Sequence, residues 1–128
     1  MTPSTMNFGG FLQKKREEKK ITLRKMAELL GFSAPFLSDV EKDRRNPPEF
    51  AKLEQIAEIL ELSTSEKETM YDLAGKKRAS VPPDLPEYIM SHDYVITALR
   101  IARDSGAGKR EWLKFINDLK CVDSEKSK

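Results

Sequence analysis

Apolar residues recur along this chain at helical spacing. Phe8, Phe11 and Leu12 fall at i, i+3 and i+4. Leu23, Met26, Ala27 and Leu30 extend the pattern to i+7, and Leu53, Ile56, Ala57 and Leu60 repeat it. No run alternates with period two between hairpin turns, so the pattern predicts an all-α chain. The punctuation agrees with it. Thr22 is suited to cap a second helix and Gly31 to end it with a positive φ. Ser33 is suited to cap a third, with Pro35 in its first turn, where a missing N–H is harmless. Asn46-Pro47-Pro48 breaks the chain before a fourth. Ser65 with Glu68 reads as a capping box opening a fifth, with Met70, Leu73 and Ala74 on its core face and Gly75 closing it.

Residues 78–90, RASVPPDLPEYIM, hold three prolines and mark a boundary. Val81, Leu85, Tyr88, Ile89 and Met90 make the segment too apolar for a free tether, so it is expected to lie extended along a protein surface. Residues 91–121 predict a helical hairpin that turns at SGAG, residues 105–108. Val95, Ala98, Leu99 and Ala102 stripe its first helix, and Trp112, Phe115, Ile116 and Leu119 its second. Two such short helices make no stable core alone. They are expected to dock on the first five or to pair with another subunit. Residues 122–128 are expected to be a disordered tail.

Charge adds a direction. The 128 residues are 34% charged with a net charge of only +2. The cations are clustered, though: Lys14, Lys15, Arg16, Lys19, Lys20, Arg24 and Lys25 form one group. Lys42, Arg44 and Arg45 form a second, and Lys76, Lys77 and Arg78 a third. Glu49, Glu54, Glu58, Glu61, Glu66, Glu68 and Asp72 form an acidic belt between them. Such segregation predicts a dipolar molecule with one cationic side, against the plainer reading of solvated helix faces. The single cysteine, Cys121, permits no intrachain disulfide. The opening MTPSTMNFGGF does not resemble a signal peptide. No apolar run approaches the roughly 18 residues a membrane span needs. A cytoplasmic protein with no membrane association is expected.

Enzyme readings lack parts. SGAGKR, at residues 105–110, is only a fragment of the phosphate-loop pattern and follows no predicted strand. One histidine, His92, and one cysteine make no zinc set. No enzyme activity, metal or cofactor is expected.

The stretch from Thr22 to Lys42 carries the chemistry. A helix, a short turn through Gly31-Phe32-Ser33 and a second helix follow one another. Phe36, Leu37 and Val40 would face inward, leaving Ser33, Ala34, Pro35, Ser38, Asp39 and Lys42 on a free face that suits the DNA major groove. This stretch, ITLRKMAELLGFSAPFLSDVEKDRRNP, resembles the helix-turn-helix of the Cro/C1-type (XRE) family of bacterial and phage regulators, in the manner of phage and mobile-element repressors. The resemblance covers roughly residues 7–77. It is carried by Phe8, Leu12, Arg16, Ala27, Leu30, Gly31-Phe32-Ser33, Leu37, Val40, Glu41, Arg45-Asn46-Pro47 and the Leu53/Ile56/Ala57/Leu60 stripe. It implies a five-helix, lambda-repressor-like domain in which Arg16 pairs with Glu41. Leu23 stands where the family often has Gln, so phosphate holding falls to Thr22, the amides of the second helix and Arg24.

Base reading is then expected from Ala34 and Pro35 on thymine methyls, from Ser38 as a donor, and from Asp39 as an acceptor of cytosine N4–H. Asp39 equally suits an intramolecular partner, Arg44 or Lys42. The DNA backbone is expected to meet Thr22, Arg24, Ser33, Lys42, Arg44 and Arg45. Two functions remain open. One is a sequence-specific transcriptional regulator acting on double-stranded DNA as a homodimeric repressor, with helix 33–42 in the major groove. The other is an antitoxin-like or adaptor protein whose C-terminal helices bind a partner, a toxin or a protease, with DNA binding secondary. Val95, Leu99, Trp112, Phe115, Ile116 and Leu119 are the expected docking or dimer surface, and whether Trp112, Phe115 and Leu119 are buried within the homodimer or left as an exposed patch discriminates the two.

Overall fold

A computed structural model of the chain describes residues 6–126, and the described residues form helices and no strands. The order is α1 (Phe8–Glu18), α2 (Leu23–Leu30), α3 (Ala34–Glu41), α4 (Phe50–Ile59), α5 (Thr64–Arg78), α6 (Pro86–Met90), α7 (Asp93–Ser105) and α8 (Lys109–Lys126). The chain divides into two compact units, the first ending at Glu87 and the second beginning at Tyr88.

The first unit is the five-helix domain expected from the apolar stripes. α1 packs on α3 and α5, and α2 packs on α3 and α4. Phe8, Leu12, Met26, Leu30, Leu37, Leu53, Ile56, Leu60 and Met70 are fully buried where these helices meet. Burial of one such side chain stabilises by about 1.5–3 kcal/mol, so the stripes hold the bundle together.

The start and end of α5 differ from expectation. Its capping box is Ser63 with Glu66: Ser63 Oγ accepts from the Glu66 N–H at 3.1 Å, and Glu66 Oε1 accepts from the Ser63 N–H at 2.9 Å. Ser65 and Glu68 lie inside the helix, exposed. Leu62 is buried, so the helix must begin immediately after it to bring Met70, Tyr71 and Ala74 onto the core. Gly75 does not close the helix either; it is buried within it, and Ala79 ends it with φ 54. A Cβ at Gly75 would lie 3.0 Å from Pro82, because the chain folds back there.

Glu66 also accepts from Lys15 Nζ at 2.7 Å, which ties α5 to α1. Lys15 first, then the Ser63 amide, pull the Glu66 carboxyl down from 4.5 to about 2. A depressed acid contributes stability above its unfolded pKa and loses it as pH falls through the folded value. Urea midpoints measured between pH 4.5 and 2 are therefore expected to converge for parent and Glu66→Gln, with the parent superior only above that window.

The segment 78–90 is not wholly extended. It contains the last residue of α5 and the short α6, which Pro86 opens. The expected tail at 122–128 is corrected as well, since α8 continues to Lys126. Val122 prolongs the Phe115/Leu119 stripe by i+3, so the helix has an apolar reason to continue. Residues 127–128 of that tail, and residues 1–5 of the opening, lie outside the described residues. In the second unit Gly106, at φ 71, ends α7 before α8. The His92 ring stands between Tyr88 and Tyr94, at 4.7 and 5.3 Å, with Nδ1 2.8 Å from the Tyr88 carbonyl oxygen. No helix among the described residues is long and apolar enough to cross a membrane.

Candidate nucleic-acid interface

The α2–turn–α3 geometry follows from its local sequence. Thr22 caps α2 through its hydroxyl oxygen, which accepts from the Lys25 N–H at 3.1 Å. Gly31 reverses the chain at φ 74, and the Phe32 N–H donates back to the Ala27 carbonyl at 2.8 Å. The Leu30 carbonyl accepts from Lys52 Nζ at 2.6 Å, so a lysine of α4 closes α2. Ser33 then caps α3 by accepting from the Phe36 N–H at 3.2 Å, and Pro35 lies in its first turn. Leu37 and Val40 are buried against Met26, Ala27 and Leu30.

The face opposite that packing is open. Ser33, Pro35 and Lys42 are exposed, and Ala34, Ser38 and Asp39 are half-buried. Phe36, expected inside, is only half-buried. Its ring meets Phe32 at 4.9 Å, and the Arg45 guanidinium lies over it at 5.0 Å. Asp39 is engaged within the protein: one carboxylate oxygen lies 3.7 Å from Arg44 Nη1 and the other 3.6 Å from Arg45 Nε. Of the two roles weighed for Asp39, the intramolecular one has its partners in place. Lys42 does not take part; among the described residues Lys42, Arg24 and Lys25 form no ion pair. Thr22 and Ser33 use their oxygens as caps, and each hydroxyl retains a hydrogen to donate.

The cationic side is smaller than the sequence suggests. Lys15 and Lys19 reach the acidic belt at Glu66 and Glu61, at 2.7 and 3.7 Å. Lys77 and Arg78 are directed at the segment after α3. Arg24, Lys25 and Lys42, like Lys14, Lys20 and Lys76, form no ion pair among the described residues, and Arg44 and Arg45 stand just after α3.

Arg16 and Glu41 fix the angle of α3. Arg16 Nε donates to Glu41 Oε2 at 2.7 Å and Nη2 to Oε1 at 3.0 Å. Nη1 donates to the Ile21 carbonyl at 2.8 Å. The bond to Glu41 raises the guanidinium pKa most, with burial opposing it. Both side chains are nearly enclosed, at 11% and 5% exposure. A two-pronged arginine–carboxylate pair sets direction as well as distance, so the last turn of α3 is locked to α1.

Sequence reasoning missed Gly9. A Cβ there would lie 2.4 Å from the Glu41 carbonyl oxygen and 2.5 Å from that of Val40, so α1 crosses the end of α3 in backbone contact. The signal was Gly9-Gly10 inside an otherwise helical pattern, where an interior glycine asks for a packing reason. Lys52 was missed too, and nothing near it in sequence indicates a role 22 residues away.

On the C-terminal helices Val95 and Trp112 are half-buried. Leu99, Phe115, Ile116 and Leu119 are 41–52% exposed.

A family model described as a helix-turn-helix domain matches residues 7–70, half of the chain. Two uncharacterized HTH-type transcriptional regulators of Mycobacterium tuberculosis, from strains CDC 1551 and H37Rv, are each 39% identical over 67 residues, 52% of this chain and 45% of theirs. The HTH-type transcriptional repressor RghR of Bacillus subtilis is 36% identical over 56 residues, 44% of this chain and 42% of its own. The chain thus matches less than half the length of these curated relatives. Among solved structures, a chain of the SinR protein/SinI protein complex is 22% identical, with a TM-score of 0.42 over 91% of this chain and 98% of that one.

Proposed function

The chain belongs to the helix-turn-helix domain family, and from that premise we propose that it is a sequence-specific DNA-binding transcriptional regulator, a dimeric repressor that places α3 in the major groove. The observation that carries this reading is the open face of α3. Leu37 and Val40 are buried while Ala34, Pro35, Ser38 and Asp39 face away from them, with Arg44 and Arg45 at one end. Ala34 and Pro35 meet thymine methyls, and Ser38 donates to a base acceptor or phosphate. Thr22, Arg24, Ser33, Lys42, Arg44 and Arg45 hold the phosphates. The ion pairs of Asp39 favour a holding role over a cytosine contact.

One such helix covers few base pairs, so a dimer reading half-sites about 34 Å apart supplies the specificity. The exposed apolar residues Leu99, Phe115, Ile116 and Leu119 suit pairing of two copies, and the word repressor in the name of RghR supports the direction of regulation. The same exposure favours the second reading, in which these helices bind a partner protein. The mass of the purified chain separates the two, since a dimer satisfies the apolar face and a monomer leaves it for another protein.

Selection of bound duplexes from a random pool tests the main reading. An enriched, two-fold-related site is expected, with log affinity falling against log salt by about 0.9 per phosphate contacted. Asp39→Ala should return the same site as the parent; a changed preference at one base pair would make Asp39 a reader. A flat salt response would refute DNA binding.

A further inference from the structure

We infer that Lys77 and Arg78, the last two residues of α5, are positioning residues for the DNA-backbone arginines Arg44 and Arg45, an inference that rests on the DNA-binding reading above. The segment between α3 and α4 contains Pro47 and Pro48, which have no N–H to donate, so side chains from outside must do part of the holding. It begins with a tight turn. The Asp43 N–H donates to the Val40 carbonyl at 3.1 Å and the Arg44 N–H to the Asp39 carbonyl at 2.9 Å. Asp43 stands at φ 64, a left-handed conformation that Asp tolerates better than most side chains. The turn brings both arginines back to Asp39.

α5 holds this turn from the other side. Lys77 Nζ donates to the Asp43 carbonyl oxygen at 3.2 Å and lies 3.4 Å from the Asp43 carboxylate. Arg78 donates from Nη2 to the Pro47 carbonyl oxygen. The two anchors bracket Arg44 and Arg45 in sequence. Both ends of the segment are fixed to a helix whose own core face, Met70, Tyr71 and Ala74, is buried. The third basic cluster of the sequence thus acts through the second. The charges of Lys77 and Arg78 are directed at the protein, and their effect on DNA is to keep two guanidinium groups placed before phosphate arrives, which lowers the ordering cost of binding.

The test uses the full chain, an arbitrary-sequence DNA duplex and a range of salt concentrations. Lys77→Met is expected to weaken binding roughly five- to tenfold, the scale of one ordinary hydrogen bond, with an unchanged thermal midpoint. Amide exchange at Asp43 and Arg44 should quicken in the free protein, and Lys77→Arg should restore both properties. Asp43→Asn decides the sign. Loss of an acid near DNA strengthens binding on charge alone, whereas loss of the carboxylate half of the anchor, with the Lys77 bond to the Asp43 carbonyl kept, weakens it. Asp43→Asn leaves Lys77 in place and carries the test if Lys77→Met lowers the midpoint. Parent-like binding by Lys77→Met, or tighter binding by Asp43→Asn with unchanged exchange, overturns the inference while the parent still binds DNA. A parent that shows no salt-dependent binding removes the DNA-binding reading and this inference together.

Discussion

Glu41→Ala is expected to lower the stability of the five-helix unit by about 3–5 kcal/mol, the cost of leaving one half of a buried pair without the other. Arg16 is satisfied on three sides, by both Glu41 oxygens and the Ile21 carbonyl. Removal of the carboxylate strands a guanidinium that cannot shed its charge. A loss of that size is a large part of the roughly 5–15 kcal/mol that holds a domain folded. The double replacement Arg16→Met with Glu41→Leu should cost much less, because an apolar pair of similar volume carries no desolvation penalty. Urea unfolding of parent, single and double variants measures the contrast. The signal should be helical circular dichroism, since the one tryptophan, Trp112, lies in the second unit. Equal losses in single and double variants would show that the pair's charges are not what the site depends on.

Gly9→Ala is expected to cost about 2–3 kcal/mol, although alanine is the better helix former by about 1 kcal/mol. The added methyl would meet two carbonyl oxygens at 2.4 and 2.5 Å, and backbone has no rotamer with which to retreat. α1 must therefore move off the end of α3, loosening the Arg16–Glu41 pair as it goes. The thermal midpoint should fall by roughly 10–20 °C, at 4–8 °C per kcal/mol for a unit of this size. Gly10→Ala is the control. Its Cβ would meet side chains only, Asn7 Oδ1 at 3.2 Å and Met6 Cγ at 3.9 Å, and it should stay within about 1 kcal/mol of the parent. Similar midpoints for both variants would remove the close crossing as an explanation.

These two sites mark how much of the molecule was legible beforehand. The apolar stripes on α1, α2 and α4 were legible because burial on one face imposes the 3.6-residue period. The caps at Thr22, Gly31 and Ser33 were legible because each residue satisfies its own neighbouring backbone. Ser65 imitates the cap at Ser63 because the two frames differ by two residues and offer the same S-x-x-E spacing. Only the burial of Leu62 chooses between them. Gly75 imitated a helix end because a glycine needed for space looks the same as one needed for a positive φ. Gly9, Lys52 and the Lys77–Asp43 contact were not legible for a common reason. Each joins residues at least 22 positions apart by backbone approach or by one flexible side chain, and neither leaves a periodic trace. The Arg16–Glu41 pair spans 25 residues and was anticipated through family resemblance, not through the residues themselves.

Alanine and proline lose no rotamer entropy when covered, against about 1.5–2 kcal/mol for a lysine or arginine. A surface centred on Ala34 and Pro35 therefore freezes almost nothing when it meets another surface. The long side chains stand at its margin, and there Arg45 is already confined between the Phe36 ring and Asp39. The disorder available to be lost is thus concentrated in long side chains such as Arg24, Lys25 and Lys42, and the middle of the open α3 face is as ordered alone as it can become in company.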